Sequence, residues 1–339
     1  MAQIIMHDML GLLKPYFVSE DHPKAIFERV KDELLVSDGK VRNLQESLGG
    51  QGGMFTVMSA AQQDGYDVMT GQQIWGLFNP TRRRDVSAWE FELFEAHQVM
   101  DVAQASAQTL AQQMPIGDME VYVFPADPAN RSLMVFSHGL SAFAGVPGAL
   151  HLQIFPSEGN IRRVPAALAR LLVHQLRREL PLNTLRDWLL TEGLAACFVE
   201  TNFPEEELPW LASFRKPDDW DNTLTDIARR YGLNSYDEMT VNVYGSFSQV
   251  GAERPPMVHA LPDDELTYVQ EIASGALDES NPNRIAAYLY GDELIAPQGH
   301  ATFGLSAYAG FEVAYRLVKA RLEEAGLPLA DALTATDLI

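Results

Sequence analysis

Between Val164 and Glu200 the chain reads VPAALARLLVHQLRRELPLNTLRDWLLTEGLAACFVE, two apolar runs at helical spacing parted by the short break PLN. A connection that short forces the two helices to pack antiparallel, so polar groups on their facing sides must meet. At about 100° per residue, Val164, Leu168, Leu171, Leu172 and Leu176 form a broad apolar face on the first helix. Gln175 falls inside that face, and His174 and Arg178, four apart, stand one above the other beside it. A buried polar group without a partner costs about 1–3 kcal/mol, so this cluster needs a partner or a cleft. Glu192, on the second helix, is the candidate. Pro165 near the start of the first helix costs little, Pro181 ends it, and the second helix runs from about Thr184 to Glu200.

The rest of the chain places this hairpin in an α+β, mainly helical fold. Helical spacing predicts helices over Pro23 to Val36, over Val86 to Met114 without interruption, near 263–276 and over 305–325. Residues 119–127, 132–139 and 149–156 read as three short strands separated by Pro, Asn and Gly turns, a small sheet preceding the HQLRR helix. The Gly- and Gln-rich stretch near 48–74 is loop-like. It suggests a helical N-terminal region over 1–114, followed by a second domain over 115–339 with a helical C-terminal lobe. A net charge of −21 over 339 residues argues against nucleic acid or an anionic membrane surface as partner, and the acidic runs read as solvated faces. No segment has the apolar length to span a bilayer and the N-terminus lacks a basic leader, so the expected location is cytoplasmic. Cys197 is the single cysteine, which permits no intramolecular disulfide and reads as a small core residue.

Two segments carry a family resemblance: HQLRR at 174–178 and, on the next helix, TEGLAACF at 191–198. They resemble the core of a bacterial family of predicted zinc-dependent proteases of the zincin type, in which HExxH is followed by a segment like EGLA whose Glu is the third metal ligand. SHGLSAFAGVPGALHLQIFP before the helix and GLSAYAGFEVAYRLVKARL at 304–322, aligned at Gly310, Phe311, Ala314 and Tyr315, extend the likeness over roughly 115–335. The resemblance implies a zincin-like core, a zinc ion and peptidase chemistry.

The departures cut against that chemistry. A catalytic zinc site needs two neutral imidazoles at i, i+4, a third ligand, an open position and a general base. His174 and Glu192 remain, but Arg178 stands where the second His belongs, and a guanidinium has no lone pair to give a metal. Gln175 replaces the base, and an amide takes no proton from water near neutral pH. Phe311 stands where the family tends to have Tyr, although Tyr315 remains. The favoured reading is a degenerate relative with no cofactor, the cleft retained for a peptide or protein, and Arg178 paired to Glu192 in place of the zinc. An active metal-dependent hydrolase would use His174, Glu192 and a recruited His151, which shares a strand face with Gln153, or more weakly His300. A third reading has Arg178 bind a small carboxylate substrate in an enzyme of different chemistry.

Overall fold

The structure, a computed structural model, describes residues 2–11, 14, 83–130, 132–146, 148–238, 258–296 and 301–339. The expected helix over 23–36, the stretch over 48–74 and His300 lie outside the described residues. The fold is α+β and mainly helical, as the patterning predicts. A four-stranded mixed sheet runs in the order β1 (Ile4–Asp8), β2 (Met119–Pro125), β4 (Ala149–Ile154), β3 (Leu140–Val146). β1, β2 and β4 are parallel, and β3 returns antiparallel to β4. The register sets His7 beside Tyr122 and Tyr122 beside His151. Their rings stack across the sheet, His7 on Tyr122 at 4.3 Å and Tyr122 on His151 at 5.1 Å.

Before the sheet, α1 (Arg84–Ala96) and α2 (Val99–Ala111) replace the single helix expected over 86–114. Gln98 takes a left-handed conformation, φ 51°, between them. An unbroken apolar period does not register one residue that turns the chain, which is why the pattern alone joined them. Val99, Ala103, Ala107 and Leu110 of α2 belong to the same apolar core as Val121 and Val123 of β2 and Leu168 and Leu172 further on.

The strand expected over 132–139 is not formed. Ser132–Phe136 makes a π-helical turn instead, and the extended segment begins at Leu140. Asn130 opens the turn: its side chain accepts from the Leu133 amide and its carbonyl from the Met134 amide. His138 and Gly139 then reverse the chain in left-handed conformations, φ 50° and 70°. Trp220 Nε1 donates to the Met134 carbonyl at 2.9 Å. That contact from 86 residues away satisfies a backbone group a strand would have paired, and no local pattern announces it.

The helical hairpin is α3 (Glu158–Leu176) and α4 (Leu185–Asn202). α3 starts six residues earlier than 164, capped by Ser157, whose hydroxyl accepts from the Asn160 amide. Pro165 therefore sits inside the helix, held there by burial on both sides of it: Val164, Ala166, Ala167 and Leu168 are all buried. α3 also ends earlier, at Leu176, so Arg177 and Arg178 lie past the last turn. Thr184 and Asp187 form a reciprocal cap at the start of α4. Beyond it come α5 (Trp220–Arg230), α6 (Asp263–Ser274), α7 (Pro282–Tyr290), the short α8 (Asp292–Ile295), α9 (Ala309–Ala325) and the short α10 (Leu329–Ala332). α9 crosses α4 where Gly193 leaves no room for a side chain: a Cβ there would lie 2.3 Å from the Ala314 carbonyl. Cys197 is buried, and burial pushes its thiol up to about 12. No helix among the described residues is long and apolar enough to cross a membrane.

Candidate functional site

Arg163, Arg170 and His174 lie at i, i+7 and i+11 on α3, within about 20° of one line along the helix. The line faces α4, where Glu192 is 4% exposed. Arg170 grips that carboxylate at both oxygens, Nη2 to Oε1 at 2.6 Å and Nε to Oε2 at 3.0 Å. His174 Nε2 lies 3.3 Å from Oε1, off the angle a hydrogen bond needs. Burial raises the Glu192 carboxyl's pKa, but Arg170 and His174 outweigh it and hold the group well below the usual carboxylate range. Around the guanidinium stand aromatic faces. Arg170 Cζ is 5.0 Å from the centre of Phe214 and 5.7 Å from that of Phe311. Tyr290 packs on Phe311 and Tyr308 on Phe214.

The charge that answers Glu192 is thus Arg170, and the expected Arg178 pair is a correction. Both arginines are four residues from His174, one on either side. The helix ends between His174 and Arg178, so only Arg170 stays in the ladder that points at α4. Arg178 is half-buried, with Glu179 as the opposite charge acting on it. Arg170 already lies on the wheel drawn from Val164, and extending that wheel back by one residue puts Arg163 on the same line as His174.

Gln175 is committed to the sheet. Its Nε2 donates to the carbonyls of Ala144 (2.8 Å) and Ala149 (2.7 Å), and its Oε1 accepts from the Gly148 amide (3.3 Å). The residue standing at the general-base position therefore ties α3 to the β3–β4 hairpin. Tyr315 is not brought to Glu192 either: its hydroxyl donates to Glu200 at 2.6 Å and accepts from Lys319 at 2.9 Å, two turns further along α4. His151 is fully buried in the ring stack of the sheet. Its ring lies against those of Tyr122 and Phe124.

Residues 99–246 match the model of the family described as predicted Zn-dependent protease (DUF2268). The DUF2268 segment runs from α2 through α5 and contains His174, Gln175, Arg178 and Glu192; the GLSAYAGFEVAYR pattern of α9 lies outside it. A relative in Bacillus subtilis (strain 168), Uncharacterized protein YjfC, is 22% identical over 288 residues, which is 81% of this chain and 79% of its own. No solved structure matches at a significant level.

The matching family model, described as predicted Zn-dependent protease, implies a zinc ion, and the donor set here does not fit one. Both oxygens of Glu192 are engaged by a permanent cation that would repel a second. No group of three or more His, Cys, Asp or Glu side chains among the described residues is placed to hold a metal. What the arrangement does offer is a line of three basic side chains. It still meets solvent at one end, with 14% of the Arg170 side chain and 15% of the His174 side chain exposed.

Proposed function

We propose that this chain is a degenerate relative of the zinc-dependent peptidases, without peptide hydrolysis, whose α3–α4 face serves as a binding site for a peptide or protein. One observation carries the reading: the Arg170 guanidinium sits bidentate on Glu192 in an aromatic enclosure, filling the role of the cation a working site would recruit. Gln175 supports it, since an amide spent on two carbonyls neither activates water nor faces a substrate. For hydrolysis to survive, Glu192 would have to release Arg170, leaving a buried guanidinium unpaired at a cost of several kcal/mol.

The test is metal content of the purified full chain by elemental mass spectrometry, with a thermal melt with and without chelator and an assay on a denatured protein substrate. The expected outcome is zinc far below one per chain, an unchanged melt and no cleavage. Zinc near one per chain with a melt lowered by chelator would overturn the reading, because a bound metal adds its binding energy to stability whereas an ion pair does not.

A further inference from the structure

Arg163, seven residues before Arg170 on the same line of α3, is buried at 7% exposure without a matching carboxylate. Its Nη1 donates to Asn160 Oδ1 (2.8 Å) and to the His138 carbonyl (3.4 Å), and its Nη2 to the Ser213 carbonyl (2.5 Å). Nε is buried and has no acceptor among the described residues. Of the five guanidinium N–H groups, three are used, and the Nε–H and one N–H of Nη2 are left over. No ion pair to Arg163 forms among the described residues. Glu206 and Asp219 act on it only from further off, Arg215 opposes them, and burial brings its pKa down to about 9.

Three non-glycine residues among those described have positive φ, and two of them, His138 (50°) and Tyr308 (60°), border this arginine. Such conformations cost on the order of 1–3 kcal/mol and gather where a ligand is held. His138 gives its carbonyl to Arg163 and its ring Nδ1 donates to the Phe214 carbonyl at 3.1 Å. Tyr308 stacks on Phe214 at 4.9 Å, within electrostatic reach of both Arg163 and Arg170. Its hydroxyl makes no hydrogen bond to a described residue, and burial pushes its pKa up to about 12, so it remains a donor.

We propose that Arg163, with the Tyr308 hydroxyl beside it, is the receptor for a ligand carboxylate at the inner end of the α3 line. The charge balance selects the class of ligand. Arg170 is already neutralised by Glu192, so one positive charge and two or three donors are left, which suits a planar monoanion and falls short of a phosphate dianion. The proposal rests on the α3–α4 face being a binding site, and it gives that face a polarity: a carboxylate anchored at Arg163, the rest of the ligand running past Phe214 and Tyr308 toward His174. The carboxylate can come from a small acid or from a peptide C-terminus.

The test is a thermal melt of the full chain in chelator, titrated with sodium acetate, with acetyl-tetraalanine and with its C-terminal amide, each against sodium chloride at equal ionic strength. A carboxylate-specific rise in melting temperature is expected. A rise with acetate alone assigns a small acid, and a rise with the peptide acid but not its amide assigns a peptide C-terminus. In Arg163→Met the rise disappears, and in Tyr308→Phe, which keeps the ring, the apparent affinity falls roughly tenfold or more. Equal responses to carboxylate and chloride, or an Arg163→Met response like that of the unmodified chain, would overturn the site. If Arg163→Met does not fold, an unchanged response in Tyr308→Phe overturns it alone. Chelator in every arm keeps this result separate from the metal reading, which is decided by zinc content.

Discussion

Replacing Gln175 by glutamate restores the side chain a zinc peptidase needs, yet here it would take both N–H donors away from the carbonyls of Ala144 and Ala149. A carboxylate would face two buried acceptors, so Gln175→Glu is expected to lower the unfolding free energy by about 1–3 kcal/mol and to bind no zinc. Urea unfolding checks the first expectation and elemental analysis the second; an unchanged midpoint would remove the clamp from the account. The same logic separates the polar residues of the hairpin. Arg177, which looks like one more basic residue of HQLRR, is 1% exposed and donates to Thr191 and to the carbonyls of Leu333 and Ala335, pinning the C-terminal segment. His174 and Glu192 were legible as a facing pair because a helical period and a short turn fix which sides meet. The identity of the arginine was not, because it depends on where the helix stops.

The crossing of α4 and α9 is set at Gly193, the glycine of the EGLA segment. An alanine there would press its Cβ to 2.3 Å from the Ala314 carbonyl and 2.4 Å from Val318 Cγ2. Gly193→Ala is expected to destabilise the chain by roughly 1–3 kcal/mol through overpacking, against the small gain alanine brings to an isolated helix. A higher denaturation midpoint in this variant would show that the helices can separate without loss. Phe311, on α9, reaches Arg170 only because the two helices lie this close. Elements with strong periods, α4 and α9, were readable from sequence to within a few residues, and α3 was readable except for its first six residues and its last turn. The turn over 132–136 and the break at Gln98 were not, since each is decided by one backbone conformation and, for the turn, by the indole of Trp220.

For the whole molecule, two buried groups of the α3 region contribute to the dependence of stability on acid. Burial, reinforced by Arg163, holds the His138 imidazole's pKa down to about 3, against an ordinary value of 6.5. The unfolded chain therefore takes up a proton below 6.5 that the folded chain refuses until about 3, so stability falls as pH drops through that interval. Glu192, its carboxyl held below the ordinary value of 4.5, adds a contribution that is complete above 4.5 and lost as pH falls below it. Between 4.5 and 6.5 His138 contributes to the slope, by at most about 1.4 kcal/mol per pH unit. His138→Asn, which tolerates the left-handed backbone, is expected to flatten that part of a stability profile measured by urea unfolding; a profile as steep as that of the unmodified chain would assign the slope elsewhere. By itself the sequence determined the class of fold, the antiparallel hairpin, the family likeness and the residues that stand at the HExxH positions, because periodicity, turn length and side-chain chemistry are local properties. Only the tertiary structure decided that Arg170 is the partner of Glu192, that Gln175 is a clamp and that Arg163 is left with donors to spare. Those outcomes depend on helix ends and on carbonyls from distant segments, and no spacing within one helix encodes which of them will be near.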